Sequence, residues 1–233
     1  MNNNDFNKFP LVQIAAIEEY EKGNSETSKN YPSLELVRLE QVFFKNKFGH
    51  ILEYGFGSGC NTEHLLKKGY KVTGIDVSKN AIKFSKQRLK KYKKKVKLLR
   101  LLKNSKQLPF KNDSFDYIVA ISVLSLLGSK KKIQYLLSEL SRVLKPDGKI
   151  ILDINSINSE FGQKKISRNV YQTKILKNNI LTYCSTNLKD FESLVSKNFR
   201  VKDKGYTKFR IFNRKIEEFI ISAVNKNNFF HEI

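Results

Sequence analysis

The chain has 233 residues, with 44 Lys and Arg against 22 Asp and Glu, and therefore a formal net charge of +22. Hydrophobic residues make up 40% of it, which argues against global disorder, and the length suits one α/β domain with modest additions. No apolar run approaches the ~20 residues that a membrane span needs. Two cysteines, Cys60 and Cys184, are too few for a disulfide framework or a cysteine-based metal site. With no apolar signal segment at the N-terminus, we expect a cytoplasmic protein.

The basic charge has two interpretations. A nucleic-acid partner or an anionic surface would explain it directly. Lysine and asparagine are, however, spread along the whole chain, and the densest cluster, residues 90–97, lies where a helix should pass into a strand. We favour a solvated basic surface and keep nucleic acid as an open partner.

The N-terminal residues carry two helical patterns. Residues 11–22 repeat apolar side chains at helical spacing, residues 23–28 break the pattern, and residues 33–48 resume it behind Ser33 as an N-cap. We predict an N-terminal helical cap over residues 1–48, a main domain over residues 49–225 and a tail over residues 226–233. These parts should form one structural domain.

Residues 51–78 carry the clearest functional pattern. A short apolar strand over residues 51–54 runs into Gly55, Gly57 and Gly59, and a helix over residues 61–68 and a second strand over residues 70–75 follow. Asp76 ends that strand. A helix that opens on a glycine loop presents unpaired N–H groups, and a carboxylate about 20 residues past the first glycine can accept hydrogen bonds from ribose hydroxyls. The pattern predicts a nucleoside-binding βαβ unit.

The glycine spacing distinguishes two cofactors. A dinucleotide site requires GxGxxG, but Cys60 or Thr62 stands at the third glycine position. Residues 53–59 instead read ExGxGxG, which resembles the first motif of class I S-adenosylmethionine-dependent methyltransferases. The resemblance implies an α/β, doubly wound Rossmann-like sheet of seven strands, mostly parallel with the last strand antiparallel. It also implies S-adenosyl-L-methionine as cofactor and S-adenosyl-L-homocysteine as product. The cofactor-binding residues it implies here are Glu53, Gly55, Gly57, Gly59, Asp76 and Val77.

A second resemblance follows a predicted helix over residues 79–92 and a strand over residues 96–102. Leu108-Pro109-Phe110, then Ser114-Phe115-Asp116 and an apolar strand over residues 117–121, are characteristic of the same superfamily. The family places an Asp-Ala pair shortly before the Pro-Phe, where this chain has Asn104 and Ser105. An Asn carbonyl can still accept from the adenine amine, so we assign both residues, with Ile121, to the cofactor site.

A third resemblance lies in residues 139–148, ELSRVLKPDG, close to the ELxRVLKPGG that leads into the fifth strand. We predict that strand over residues 149–153 and a polar connection of little periodicity over residues 156–180. The last family helix should cover residues 186–196. Terminal strands should cover residues 199–206 and 218–224, although residues 213–224 also fit a helical pattern.

The segment YPSLELVRL, residues 31–39, resembles a stretch that often precedes the first motif in small-molecule methyltransferases. By that resemblance Tyr31 closes over the cofactor and Arg38 pairs with its carboxylate, as a guanidinium can. A solvent-facing Arg38 on an amphipathic helix is the alternative interpretation.

The implied reaction is an in-line methyl transfer, for which proximity and alignment can supply ~7–11 kcal/mol. We therefore assign no catalytic residue and no metal. The edge of the fourth strand, residues 121–123, lacks the motifs of base-modifying enzymes. Tyr183 and Asn155 are acceptor-side candidates by position alone, and the three histidines are expected to be structural.

We therefore expect an enzyme that methylates a small-molecule nucleophile in a pocket built from residues 1–48 and 154–185. An RNA or protein methyltransferase, or a non-catalytic cofactor-binding relative, are the alternatives. The sequence does not indicate an oligomeric state.

Overall fold

The computed structural model describes residues 30–102, 105–175, 178–212 and 214–226. The predicted helix over residues 11–22, the cofactor candidate Asn104 and the tail histidine His231 lie outside the described residues. The remaining elements can be compared with their predictions one by one.

Five helices and ten strands make up the described fold. The helices are α1 (Leu34–Phe43), α2 (Cys60–Lys67), α3 (Lys79–Arg88), α4 (Lys130–Val143) and α5 (Leu188–Val195). The strands are β1 (His50–Tyr54), β2 (Lys71–Asp76), β3 (Val96–Arg100), β4 (Phe115–Ala120), β5 (Leu144–Asn155), β6 (Lys164–Ser167), β7 (Val170–Ile175), β8 (Asn178–Tyr183), β9 (Phe199–Ile211) and β10 (Arg214–Asn225). Two 3₁₀ turns, Lys90–Tyr92 and Leu124–Leu127, follow α3 and β4.

The main sheet has seven strands in the order β3-β2-β1-β4-β5-β10-β9. The first five strands pair in parallel, and β10 runs antiparallel to both of its neighbours. The predicted fold class is confirmed. Chain order reverses between β1 and β4, and in open parallel sheets ligands bind at such a switch point, beyond the carboxyl ends of the strands.

The sheet divides the core into two apolar clusters, one on each face. Successive strand residues point to opposite faces, so Ile51 packs with Phe44 in the smaller cluster, whereas Leu52 packs with Phe191 in the larger one. The smaller cluster includes part of the N-terminal region, since Leu36 of α1 is fully buried in it. The described part of the predicted cap is therefore packed on the sheet.

Several element boundaries differ from the predictions. The helix expected over residues 33–48 ends at Phe43, because Phe44 adopts an extended conformation and turns its ring into the core. Residues 214–225 form a strand, so the helical alternative is wrong. Both β9 and β10 extend well beyond the predicted segments.

The segment over residues 156–180, predicted as a polar connection of little periodicity, contains regular secondary structure. The segment contains most of a second, antiparallel sheet in the order β6-β7-β8. All four side chains of β6 are exposed, so that strand has no buried face and shows no alternation of apolar and polar residues.

The β9–β10 hairpin continues past the carboxyl edge of the main sheet. Pairing between β10 and β5 stops at Glu218 opposite Asn155, whereas β9 and β10 remain paired up to Ile211 opposite Arg214. We call this part, residues 208–212 and 214–217, the hairpin extension. Four further residue pairs correspond to about 13 Å of strand. Across the described ranges, none of the helices is long and apolar enough to cross a membrane.

Candidate functional site

The glycine loop lies at the switch point and uses a left-handed backbone. Gly55, Gly57 and Gly59 have φ values of 78°, 52° and 79°. The Gly55 amide donates to the Ile75 carbonyl at 2.8 Å, which ties the loop to β2. A Cβ on Gly55 would lie 2.2 Å from Cγ1 of Val123. A side chain at Gly55 is therefore excluded by conformation and by space, and the left-handed backbone disfavours side chains at Gly57 and Gly59.

Asp76 is fixed at the carboxyl end of β2 beside this loop. Its Oδ2 accepts from the Gly57 amide at 2.8 Å, and its Oδ1 accepts from the Ser78 amide at 2.9 Å. Burial raises the pKa of the carboxyl group, and these backbone hydrogen bonds oppose the rise. Val77, the next residue, packs against the larger cluster. The acid predicted for the ribose is thus held in place by the predicted loop.

Glu53 provides a second carboxyl group below the loop. Its side chain is 2% exposed and accepts a hydrogen bond from the Thr62 hydroxyl of α2. Burial raises the pKa of Glu53 to about 8, and the nearby Asp76 charge adds to the rise. Glu53 thus connects β1 to the helix that follows the loop.

Two motifs found separately in the sequence form one unit. The Leu108 amide donates to Glu139 Oε2 at 2.8 Å, and Arg142 donates to the Phe110 carbonyl at 2.8 Å and the Leu108 carbonyl at 3.1 Å. Glu139 and Arg142 are themselves paired at 2.8 Å. The pair on α4 therefore clamps the turn that follows Ser105, whose own amide donates to the Leu102 carbonyl.

A carboxylate of the neighbouring strand β5 lies at the fourth-strand edge, and it was not assigned from the sequence. Ile121 is buried, and the next residue, Ser122, has a positive φ of 60°. The Ser122 amide donates to Oδ1 of Asp153 at 2.7 Å, and Asp153 is buried near the end of β5. An acid ending the apolar run of β5 was the available signal, but the contact joins residues 31 positions apart.

The start of α1 connects both ends of the sheet. The Ser33 amide donates to Asn61 of α2 at 2.8 Å, and Glu35 accepts from the Thr207 hydroxyl of β9 at 3.0 Å. Tyr31 is largely exposed just before these contacts. Arg38, one turn further on, lines a groove of about 290 Å³ between α1 and the β9–β10 strands. The structure thus places Arg38 on the antiparallel side, and Tyr31 interacts electrostatically with Arg214 of β10.

Of the remaining residues considered for the site, Tyr183 and Asn155 are buried, whereas His50 and His64 are half-buried. Tyr183 packs in the larger cluster, where burial raises its pKa to about 12. The backbone amide of Asn155 donates to the Ser125 hydroxyl, and the backbone carbonyl of Asn155 accepts from the Ser185 amide. His50 lies 2.9 Å from the Thr73 hydroxyl, and His64 lies 3.6 Å from the Glu40 carboxylate. Within the described ranges, no three His, Cys, Asp or Glu side chains are grouped so as to hold a metal ion.

Residues 52–152, from β1 into β5, match a protein-family model described as a methyltransferase domain. The family that the motifs predicted is thus matched over this stretch, which is less than half of the chain. The matched residues include the glycine loop, Asp76, and the Glu139–Arg142 clamp.

The matches to similar sequences extend over only part of each relative's length. A demethylmenaquinone methyltransferase of Tropheryma whipplei is 32% identical over 102 residues, which are 44% of this chain and 40% of the relative. An uncharacterized protein of Methanocaldococcus jannaschii is 32% identical over 146 residues, 63% of this chain and 62% of that protein. The chain thus matches less than half the length of the first relative.

Solved structures agree on the fold. A methyltransferase of Methanosarcina mazei superposes with a TM-score of 0.69 at 20% identity, covering 83% of this chain and 98% of that one. The N-methyltransferase NodS of Bradyrhizobium japonicum, in complex with S-adenosyl-L-homocysteine, gives 0.64 at 14% identity over 91% of this chain and 97% of that one. These likenesses support the predicted seven-stranded architecture.

Proposed function

We propose that this chain transfers a methyl group from S-adenosylmethionine to a small-molecule nucleophile. The observation that carries the proposal is Asp76, held by the amides of Gly57 and Ser78 at the end of β2. The glycine loop beside it has no side chains at Gly55, Gly57 and Gly59, so ligand and backbone can approach closely. This is the arrangement that a nucleoside with free ribose hydroxyls requires.

The predicted cofactor residues fit that role by their chemistry. Asp76 would accept from the ribose, and the glycine loop and the start of α2 would face the rest of the ligand. Asn104 and Ser105 would lie on the adenine side, with Ile121 as an apolar wall, Glu53 as support below the loop and Tyr31 as a cover. The cofactor would supply a sulfonium methyl group, whose carbon accepts the lone pair of the acceptor while the sulfur leaves as a neutral thioether. The chain itself needs to align the acceptor and exclude water.

The acceptor side is proposed from residues 154–185 together with α1. The β6-β7-β8 sheet lies here, and β8 packs against the 3₁₀ turn Leu124–Leu127 that follows the fourth-strand edge. One relative is named for a small quinone acceptor, which supports a small molecule. The division into cap, methyltransferase domain and tail remains a prediction, as does the role of Arg38.

Calorimetry with S-adenosylmethionine tests the cofactor assignment. Wild-type protein should bind, and Asp76→Ala should weaken binding at least about tenfold, since each lost charge-assisted hydrogen bond contributes roughly 1.5–3 kcal/mol. Gly57→Val should abolish binding, because φ at this position is 52°. A wild-type protein that does not bind, or an Asp76→Ala variant with unchanged affinity, would contradict the proposal. Thermal unfolding of each variant separates lost binding from lost fold.

An RNA acceptor is the second candidate, and the net charge of +22 is what favours it. Activity on RNA should fall steeply with salt, because each phosphate contact releases counterions. Methyl transfer to a small acceptor should depend only weakly on salt. Initial rates across a salt series with each acceptor class discriminate the two.

A further inference from the structure

The hairpin extension carries a concentration of basic side chains. Lys208, Arg210, Arg214 and Lys215 are all exposed. Glu217 pairs with Lys208 at 3.5 Å, and Glu160 pairs with Arg214 at 2.6 Å. The extension keeps an excess of positive charge.

Arg210 and Lys215 form the unusual part of this surface. They stand directly opposite each other in the β9–β10 register, and among the described carboxylates neither has an ion-pair partner. Like charges at directly opposite positions destabilise a strand pair. A neighbouring anion outside the chain would remove that penalty.

Aromatic side chains alternate with these charges. Tyr206 is 68% exposed, Phe209 41% and Phe212 92%, all within seven residues of β9 and the turn. Phe212 lies at the apex, where the chain reverses into β10. Consecutive strand residues point to opposite faces, so Phe209 and Arg210 lie on different faces, and Phe212 at the apex is the most exposed of the three aromatic residues.

The shape of the surface favours a membrane over nucleic acid. Single-stranded nucleic acids bind in basic grooves that follow the backbone, with aromatic residues as stacking platforms. The extension is instead a two-stranded hairpin whose β10 side is hydrogen-bonded to residues 156–160, and its most exposed aromatic residue, Phe212, stands at the end. Basic residues attract anionic lipid headgroups at roughly 1 kcal/mol each, and an apolar tip can enter the headgroup layer.

We propose that the hairpin extension docks the protein on an anionic lipid surface, with Phe212 inserted among the headgroups and Arg210 and Lys215 paired with lipid phosphates. The extension projects from the carboxyl edge of the sheet, the edge that also carries the glycine loop. Docking therefore turns the candidate methyl-transfer site toward the lipid. The proposal rests on the extension itself and stands independently of the acceptor.

Vesicle co-sedimentation of the purified full chain tests it. Binding to phosphatidylcholine vesicles that contain about one-third phosphatidylglycerol should be strong at low salt, and pure phosphatidylcholine should bind weakly. Phe212→Ser, and separately the double variant Arg210→Gln with Lys215→Gln, should each lower the partition coefficient by about tenfold. Calorimetry with S-adenosylmethionine should give wild-type affinity for both, which separates this result from failure of the proposed function.

The chain offers matched controls at the opposite edge of the sheet. Phe48 is 91% exposed just before β1, and Lys93 and Lys94 are exposed before β3. Phe48→Ser, and Lys93→Gln with Lys94→Gln, should bind vesicles like wild type. If control and hairpin variants lost vesicle binding equally, net charge or overall hydrophobicity alone would explain the binding. That result would contradict the proposal. Absence of binding to anionic vesicles, or hairpin-dependent binding of a single-stranded RNA oligomer in its place, would overturn it as well.

Discussion

The two halves of the main sheet are built differently. In the cofactor half, β1 to β4, each strand has five or six residues and ends at the same edge. In the antiparallel half, β5, β9 and β10 have twelve or thirteen residues, and the small sheet β6-β7-β8 lies between β5 and β9 in the chain. The loops after the short strands lie at one edge of the sheet, where a ligand can bind, whereas the long strands extend past that edge.

The two halves also differ in the interactions that hold them together. The cofactor half depends on a few backbone positions where only one residue type fits, such as Gly55. The antiparallel half is joined by side chains, as where Ser156 and Asn158 both donate to Glu217 of β10. The first half should tolerate little substitution, and the second should tolerate more.

The largest difference in the free energy of unfolding is expected when a glycine is replaced by alanine in each half. Gly55→Ala should lower the free energy of unfolding by about 3 kcal/mol, because the left-handed backbone and the overlap with Val123 both oppose a Cβ. Gly205→Ala in β9 should be neutral or slightly stabilising, since a Cβ there would meet nothing within 4 Å beyond its chain neighbours. Urea unfolding measures both. Comparable losses would mean that the two halves are equally constrained.

A smaller effect is expected at the clamp on α4. Glu139→Ala should cost about 2 kcal/mol, because it leaves the Leu108 amide without its acceptor and the Arg142 guanidinium without its carboxylate partner. The exposed pair of Lys145 and Asp116 is the control, and Lys145→Ala should cost less than ~1 kcal/mol. Similar costs in urea would show that the clamp contributes no more than a surface ion pair.

Measured per pH unit, the smallest effect is a difference in pH dependence between two buried carboxyl groups. The pKa of Glu53 is raised from 4.5 to about 8, so the folded state keeps a proton that the unfolded state has released. Its contribution makes stability fall as pH rises across that interval, by at most ~1.4 kcal/mol per pH unit. Glu53→Gln should flatten this part of the stability profile, which urea unfolding across a pH series measures.

Glu217 should behave in the opposite way. Burial acts to raise its pKa, but hydrogen bonds from Ser156 and Asn158 and the Lys208 charge hold the pKa below its usual value. Its stabilisation is present above the usual carboxyl pKa and is lost as pH falls. Glu217→Gln should reduce the loss of stability at low pH. If it instead reduced the loss of stability as pH rises, as expected for Glu53→Gln, the assignment would be contradicted.

Prediction from sequence succeeded where the determinants are local. Gly55, Gly57 and Gly59 lie close together in the chain and next to α2, and Asp76 follows one βα unit later, so spacing alone specifies their geometry. The clamp residues were predicted as a motif, although their contact with the Leu108 turn was not. That contact spans about thirty residues, and no periodicity reports it.

Prediction failed where exposed strands pair with each other. The β6-β7-β8 sheet has a polar outer face, and its hairpin signal is a single Asn169 in the left-handed conformation, φ 64°. Asn is one of the few residues that adopt this conformation readily, so the signal existed but was weak. The hairpin extension was also missed, although residues 208–211, KFRI, alternate polar and apolar residues as a strand does.

The start of α1 has a consequence for ligand affinities. Because Ser33 holds α2 while Glu35 holds β9, a displacement of this helix acts on the two halves together. Any ligand that moves α1 on binding at one half must change affinity at the other half, and thermodynamic linkage makes that factor equal in both directions. On the proposed function, the segment that joins the halves is where binding of the methyl donor and binding of the acceptor would be coupled.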